Sequence, residues 1–218
     1  MKANIIELAA VEENWLAFLN EKQIKQHLSR QEERQIRDFI RRQGYLPLCK
    51  ACQEGIFPGC LPVKHTISKE GSAKRRVIYT FPGDEGIFLK FVAYGLNMYE
   101  DRLSDSCYAF RRQLSAREAT LRLRRDCRAG KSWCLKTDIS NYFNSIDVTL
   151  LLPELSFLQD ENPEVHRLLI RLLSEEYVLE EGQKIRESHG AMAGTPVSPF
   201  LANLYLTKVD SLFEEQEI

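Results

Sequence analysis

No stretch of this 218-residue sequence is apolar for long enough to cross a membrane, which takes about 20 residues. The start, Met1-Lys-Ala-Asn-Ile-Ile-Glu, lacks a signal-peptide pattern because Glu7, Glu12 and Glu13 interrupt it. There is no internal repeat, low-complexity tract or interdomain linker, which excludes solenoid arrays and tail-like architectures. These absences make a cytoplasmic protein without membrane contact the expectation, and in that compartment the six cysteines remain thiols. What is present is ordinary for a globular protein: 44% apolar and 28% charged residues, enough chain for one sizeable core or two small ones.

The net charge of −1 conceals a division along the chain. Residues 61–136 carry 16 Lys and Arg against 8 Asp and Glu, whereas residues 147–218 carry 5 against 14. A basic block inside an otherwise acidic chain points to a track for a polyanion; a solvated helix surface is the plainer alternative.

Apolar spacing predicts two amphipathic helices over 4–43, with Ile5, Leu8, Trp15, Leu16 and Leu19 on one face and Ile36, Phe39 and Ile40 on the second. Residues 44–62, with Pro47, Gly55, Pro58, Gly59 and Pro62, read as loop. A hairpin follows, Val63 to Ile67 returning through Arg76-Val-Ile-Tyr-Thr-Phe, with a basic tip. Helices are expected from Asp84 to about Leu103, from Ser115 to near Gly130, after an Asn162-Pro163 cap, and from Ser198. Ser132–Asp138 reads as a strand, and Tyr177–Leu179 with Lys184-Ile185 as a second hairpin. The fold class is α+β.

Two segments carry the chemistry. Lys136-Thr-Asp-Ile-Ser-Asn-Tyr-Phe-Asn-Ser-Ile146 places one carboxylate, Asp138, at a strand end and an aromatic, Phe143, five residues later. Gly190-Ala-Met-Ala-Gly-Thr-Pro-Val-Ser-Pro-Phe-Leu-Ala-Asn-Leu-Tyr-Leu206 is a glycine-containing loop feeding a helix through Ser198-Pro199. Together they resemble the first two palm motifs of bacterial reverse transcriptases, the group of group II intron, retron and phage-defence enzymes. Ile67-Ser-Lys69 through Arg76-Val-Ile78 resembles that family's fingers hairpin, and Cys107-Tyr-Ala-Phe110-Arg111-Arg112 its Tyr-Gly-Phe-Arg segment. The family's next motif, an aromatic-x-Asp-Asp turn, should follow within a few tens of residues, and the sequence stops at Ile218. The expectation is therefore the fingers and part of the palm of a right-hand polymerase: a helical N-terminal extension over 1–60, a fingers-like region over 61–131 and a partial palm over 132–218.

The resemblance implies RNA-directed DNA synthesis by in-line phosphoryl transfer between two Mg²⁺ ions about 3.5–4 Å apart. It makes Asp138 a Mg²⁺ ligand, with the other carboxylates of the two-metal site missing, so this chain itself is expected to be inactive. Phe143 becomes the gate against a 2′-hydroxyl, and backbone at Ile139 and Ser140 a support for the nucleotide triphosphate. Lys69 and Arg76 become the triphosphate grip, for which the planar arginine fork is suited, and Gly194 and Ser198 shape the base-pair pocket. Arg111, Arg112, Arg117 and Arg124 lie in a stretch, Arg111 to Lys131, with eight basic residues against two acids, expected to meet nucleic-acid phosphates. The partners implied are an RNA template, a DNA primer or product and a deoxynucleotide, with a homodimer through an open strand edge as a further expectation.

One departure stands out. The family usually carries Gln where this sequence has Ala193, which brings untemplated or protein-primed synthesis into consideration. A second alternative is a maturase-like module that binds nucleic acid without catalysis. Cys49, Cys52, Cys60 and His65 have the residue types of a Zn²⁺ site, but alternation assigns His65 to a hairpin strand, so buried free thiols are the expectation and zinc is not.

Overall fold

The N-terminal segment folds as three helices rather than the two expected, in a computed structural model that describes residues 2–26, 28–68, 75–127 and 134–215. Asn4 caps α1 (Ile5–Ala9) by accepting from the Ile6 and Glu7 amides, and the chain breaks at Ala10 before α2 (Glu12–Gln26). Ser29 and Glu32 close a capping box on α3 (Arg30–Arg41). Residues 44–62, expected as loop, contain α4 (Tyr45–Gln53). Pro47 falls in its first turn, where an amide proton is not needed, while Tyr45, Cys49 and Cys52 recur at helical spacing and turn inward.

These helices share one core with α5 (Gly83–Leu96). Trp15 sits at its centre, fully buried, stacked on Phe91 at 4.3 Å and on Tyr45 at 5.6 Å, with Phe18 and Phe39 meeting it edge-on. Its indole N–H donates to the Ala9 carbonyl at 2.7 Å, so the ring brings no unsatisfied donor into the core. Beyond α5 the chain tightens into a 3-10 turn over Asn97–Arg102. The expected helix after Ser115 is α6 (Ala116–Asp126), which buries none of its side chains.

The sheet is built from two hairpins. β1 (Val63–Ser68) and β2 (Arg75–Thr80) pair antiparallel from Val63–Thr80 to Ser68–Arg75; the tip between them, including Lys69, lies outside the described residues. β3 (Tyr177–Glu180) and β4 (Gln183–Arg186) turn through Glu181-Gly182, both at positive φ, as a two-residue hairpin requires. β3 then lies parallel to β1 at Val63–Leu179, giving the order β2-β1-β3-β4. Short helices α7 (Tyr142–Ser145), α8 (Val148–Leu151) and α9 (Phe157–Glu161) lead into α10 (Pro163–Ser174), which buries Leu168, Leu169, Leu172 and Leu173, and α11 (Ser198–Glu215) closes the described chain. The class is α+β, and no helix among the described residues is long and apolar enough to cross a membrane.

Asn162, expected to cap α10, does something else. Its side chain makes no cap bond; fully buried, it accepts from the Ile5 amide at 2.6 Å and donates to the Ala3 carbonyl at 3.2 Å and the Tyr99 hydroxyl at 2.6 Å. It fastens the start of the chain to α10. Asn162→Ala should lower unfolding stability by about 2–3 kcal/mol, since buried partners are left unsatisfied. A urea-denaturation midpoint that does not move would contradict this role.

Candidate active site

Two glycines let three segments meet backbone to backbone. Gly190, at φ +52°, lies so close to α7 that a Cβ there would stand 2.6 Å from the Phe143 carbonyl oxygen and 2.8 Å from Asn144 backbone atoms. The next amide, Ala191, donates to that same Phe143 carbonyl at 2.8 Å. Gly194, at φ +98°, is equally tight against β2: its Cβ would fall 3.0 Å from Ile78 Cβ and from the Tyr79 carbonyl oxygen. Between them the Ala193 carbonyl accepts from the Tyr79 amide at 2.7 Å, so the loop extends the outer edge of β2.

Asn144 locks this junction. Its Oδ1 accepts from the Ala193 amide at 2.9 Å and its Nδ2 donates to the Val77 carbonyl at 3.1 Å, joining α7, the loop and β2 through one side chain. Sequence reasoning passed over it; the available signal was a residue with both a donor and an acceptor directly after Phe143. Ser198, expected to shape a base-pair pocket, is buried, with its hydroxyl 2.6 Å from the Ala191 carbonyl, 2.5 Å from that of Met192 and 2.6 Å from Thr195 Oγ1. It holds the loop's curvature. Tyr142 donates to the Ala202 carbonyl at 2.6 Å and binds α7 to α11, as its placement in the core requires.

The junction gathers Phe143, Gly194 and Ser198 around the strand that carries Arg76. Phe143 is half-buried and meets Phe110 edge-on, while Arg76 is exposed near the open end of β2. Asp138, Ile139 and Ser140 precede α7 on an exposed segment that turns through Asn141 at φ +50°. The expected strand Ser132–Asp138 is not formed where it is described: residues 134–138 are irregular, and Leu135 is 87% exposed. A strand needs a neighbour for its amides and carbonyls, and the four described strands pair only with one another. Among the described residues no three His, Cys, Asp or Glu side chains converge on a point that would hold a metal ion.

The basic stretch divides in two. The Arg111 guanidinium is turned inward, donating to the carbonyls of Ser104 at 3.0 Å and Cys107 at 3.3 Å beside the Glu100 carboxylate at 3.5 Å. Arg112 pairs with Glu21 on α2 and lies over the Tyr94 ring. Arg117 and Arg124, on α6, are exposed, and neither has an ion pair among the described residues. Arg122 anchors that helix to the Asp105 carbonyl at 3.0 Å and the Tyr108 hydroxyl at 3.3 Å.

Of Cys49, Cys52, Cys60 and His65, no three come together as a metal-binding group. Cys49 and Cys52 face the core from α4, Cys60 donates to Glu85 at 2.9 Å, and exposed His65 is 2.9 Å from Thr80 Oγ1. Burial pushes the Cys49 and Cys60 thiols up to about 12, which keeps both protonated at neutral pH.

No family model matches the chain. It is 30% identical over 114 residues to the group II intron-encoded protein LtrA of Lactococcus lactis subsp. cremoris, covering 52% of this chain and 18% of that protein. It is 26% identical over 119 residues to a COX1/OXI3 intron 1 protein of Saccharomyces cerevisiae, covering 54% of this chain and 14% of the relative. The chain is thus a distant relative of intron-encoded proteins and spans less than a fifth of their length.

Asn144→Ala should strand the Ala193 amide and the Val77 carbonyl and cost about 1–3 kcal/mol of stability. Amide exchange at Ala193 should quicken in the variant; unchanged exchange there would show that the clamp is not needed.

Proposed function

We propose that this chain is the nucleotide-facing part of a reverse transcriptase of the group II intron kind, its fingers and part of its palm, which binds a deoxynucleotide with Mg²⁺ and an RNA template with a DNA primer. The observation that supports this reading best is the junction of β2, α7 and the 190–198 loop. The three segments whose motifs resemble that family lie far apart in sequence and meet through two backbone hydrogen bonds and the side chain of Asn144. Similarity to intron-encoded proteins over about half the chain agrees with it.

In this reading Asp138 supplies one carboxylate oxygen to Mg²⁺, which prefers one or two carboxylates completed by phosphate and water. Its exposed position leaves room for such ligands. Phe143 lies beneath the sugar and excludes a 2′-hydroxyl, and Arg76 reaches the triphosphate from the end of β2, with Lys69 as its companion. Gly194 and Ser198 act one step back, by setting the path of the loop that faces the nascent pair. The exposed arginines of α6 meet the phosphate backbone, whereas Arg111 and Arg112 hold the 109–112 segment that precedes that helix. The amide chemistry that the family's usual Gln would provide is absent at Ala193, so untemplated synthesis is a variant of the same reading.

A second reading, a maturase-like module that binds RNA without chemistry, is favoured by one observation. Among the described residues Asp138 does not belong to a group of three or more metal-binding side chains. The two readings separate on nucleotide binding.

Titration of the chain with dGTP in the presence and absence of Mg²⁺ should show a Mg²⁺-dependent increase in affinity. Asp138→Asn should remove on the order of tenfold of it, because an amide cannot replace the anionic oxygen. Binding that is indifferent to Mg²⁺ in both proteins would favour the non-catalytic reading. Arg117→Ser with Arg124→Ser should weaken binding to single-stranded RNA and reduce the slope of log affinity against log salt by about 1.4, near 0.7 per phosphate contact. An unaltered slope would exclude α6 from the RNA interface.

A further inference from the structure

Phe110 is held in a way that its surroundings do not explain. Its backbone adopts φ +56°, a region that a bulky side chain rarely enters, yet the residue is 63% exposed and gains little from burial. The chain on both sides is pinned. The Ala109 carbonyl accepts from Asn203 of α11 at 2.7 Å, Arg111 is bonded inward to Ser104 and Cys107, and the Arg112 amide donates to Glu100 at 2.7 Å. What this rigid, unfavourable turn accomplishes is to bring the Phe110 ring edge-on to Phe143, with centroids 6.0 Å apart and planes at 69°. Phe110 also lines an open cleft of about 630 Å³ that reaches Gly194, Pro199 and Asn203.

We propose that Phe110 is a positioning residue for Phe143. Selection against a 2′-hydroxyl then depends on an aromatic pair whose outer member is fixed by the 109–112 elbow. The proposal rests on the reading of Phe143 as the sugar gate. A phenylalanine on a four-residue helix takes its ring angle from its neighbours: Phe143 is partly buried against the core with the Tyr142 ring 5.7 Å away, and Phe110 supplies the second ring contact. Edge-to-face geometry suits this task, since the positive ring edge of one partner meets the negative face of the other and resists rotation. Transmission to the site needs no movement of the backbone, only loss of the lateral contact.

The test uses the full 218-residue chain with 4-fluorophenylalanine incorporated at position 143 and observed by fluorine NMR. Phe110→Ala should shift that resonance towards its solvent-exposed value, and Phe110→Tyr, which keeps the ring, should restore it. Should the alanine variant fail to fold, Phe110→Gly accepts the positive φ without strain and serves in its place. In parallel, the ratio of affinities for dGTP and GTP with Mg²⁺ should fall about two- to tenfold in Phe110→Ala, the range of an aromatic pair. A fluorine resonance that does not move overturns the proposal, as does an equal weakening of both nucleotides, which would make Phe110 a stacking platform for the base. Phe143→Ala separates the two levels: if it leaves the ratio unchanged, the gate reading itself fails; if it collapses the ratio while Phe110→Ala does not, only the present proposal fails.

Discussion

The hydrogen bond from the Tyr79 amide to the Ala193 carbonyl is the contact on which the geometry of the candidate site depends. It adds the 190–198 loop to the outer edge of β2, and Asn144 fastens α7 to both. The joint has little tolerance, because Gly190 and Gly194 have backbone or strand atoms within 3.0 Å of where a side chain would begin. The Tyr79, Ala191 and Ala193 amides and the Val77, Phe143 and Ala193 carbonyls thereby find partners, as ordered main chain requires. Phe143 is positioned as a consequence, since its own carbonyl is one of the acceptors.

This arrangement gives Ala193 a part that does not involve its side chain. Both its amide and its carbonyl are engaged, to Asn144 and to Tyr79, so the loop is held by main chain. Alanine, where the family that the motif resembles usually carries glutamine, is therefore compatible with the fold. Ser198 extends the same principle, with a hydroxyl spent on the curvature of the loop and the start of α11.

Charge is partitioned more finely than composition allows one to see. The stretch beginning at Arg111 is predominantly basic in sequence, yet among the described residues Arg111 is engaged by Glu100 and backbone carbonyls, Arg112 pairs with Glu21, Arg122 is bonded to Asp105 and Tyr108, and Arg117 and Arg124 are exposed without an ion pair. Arg111, turned inward, and Arg112, paired with Glu21 at the surface, tie residues 109–112 to the rest of the chain; Arg117 and Arg124 give α6 its field. An arginine count predicts a polyanion track but does not identify its members, since an identical side chain serves either use.

Features governed by local spacing were legible in the sequence: both hairpins, the cap at Ser115, the buried leucines of α10 and the helix from Ser198. Those decided by a distant partner were not. Residues 134–138 have strand-like composition but pair with none of the described strands, Asn162 abandons its cap to bind the first residues of the chain, and Asn144 gains its role only when Val77 and Ala193 arrive. The helix at Tyr45–Gln53 was hidden for another reason: Pro47 and the glycines and prolines that follow it read as loop, although a proline is permitted in a helix's first turn. The most direct test of the central claim is amide hydrogen exchange of the chain with and without dGTP and Mg²⁺. The account predicts added protection at residues 76–79, 138–144 and 190–198 together, because one nucleotide would touch all three segments of the junction. Protection confined to α6, or none anywhere in those segments, would contradict it.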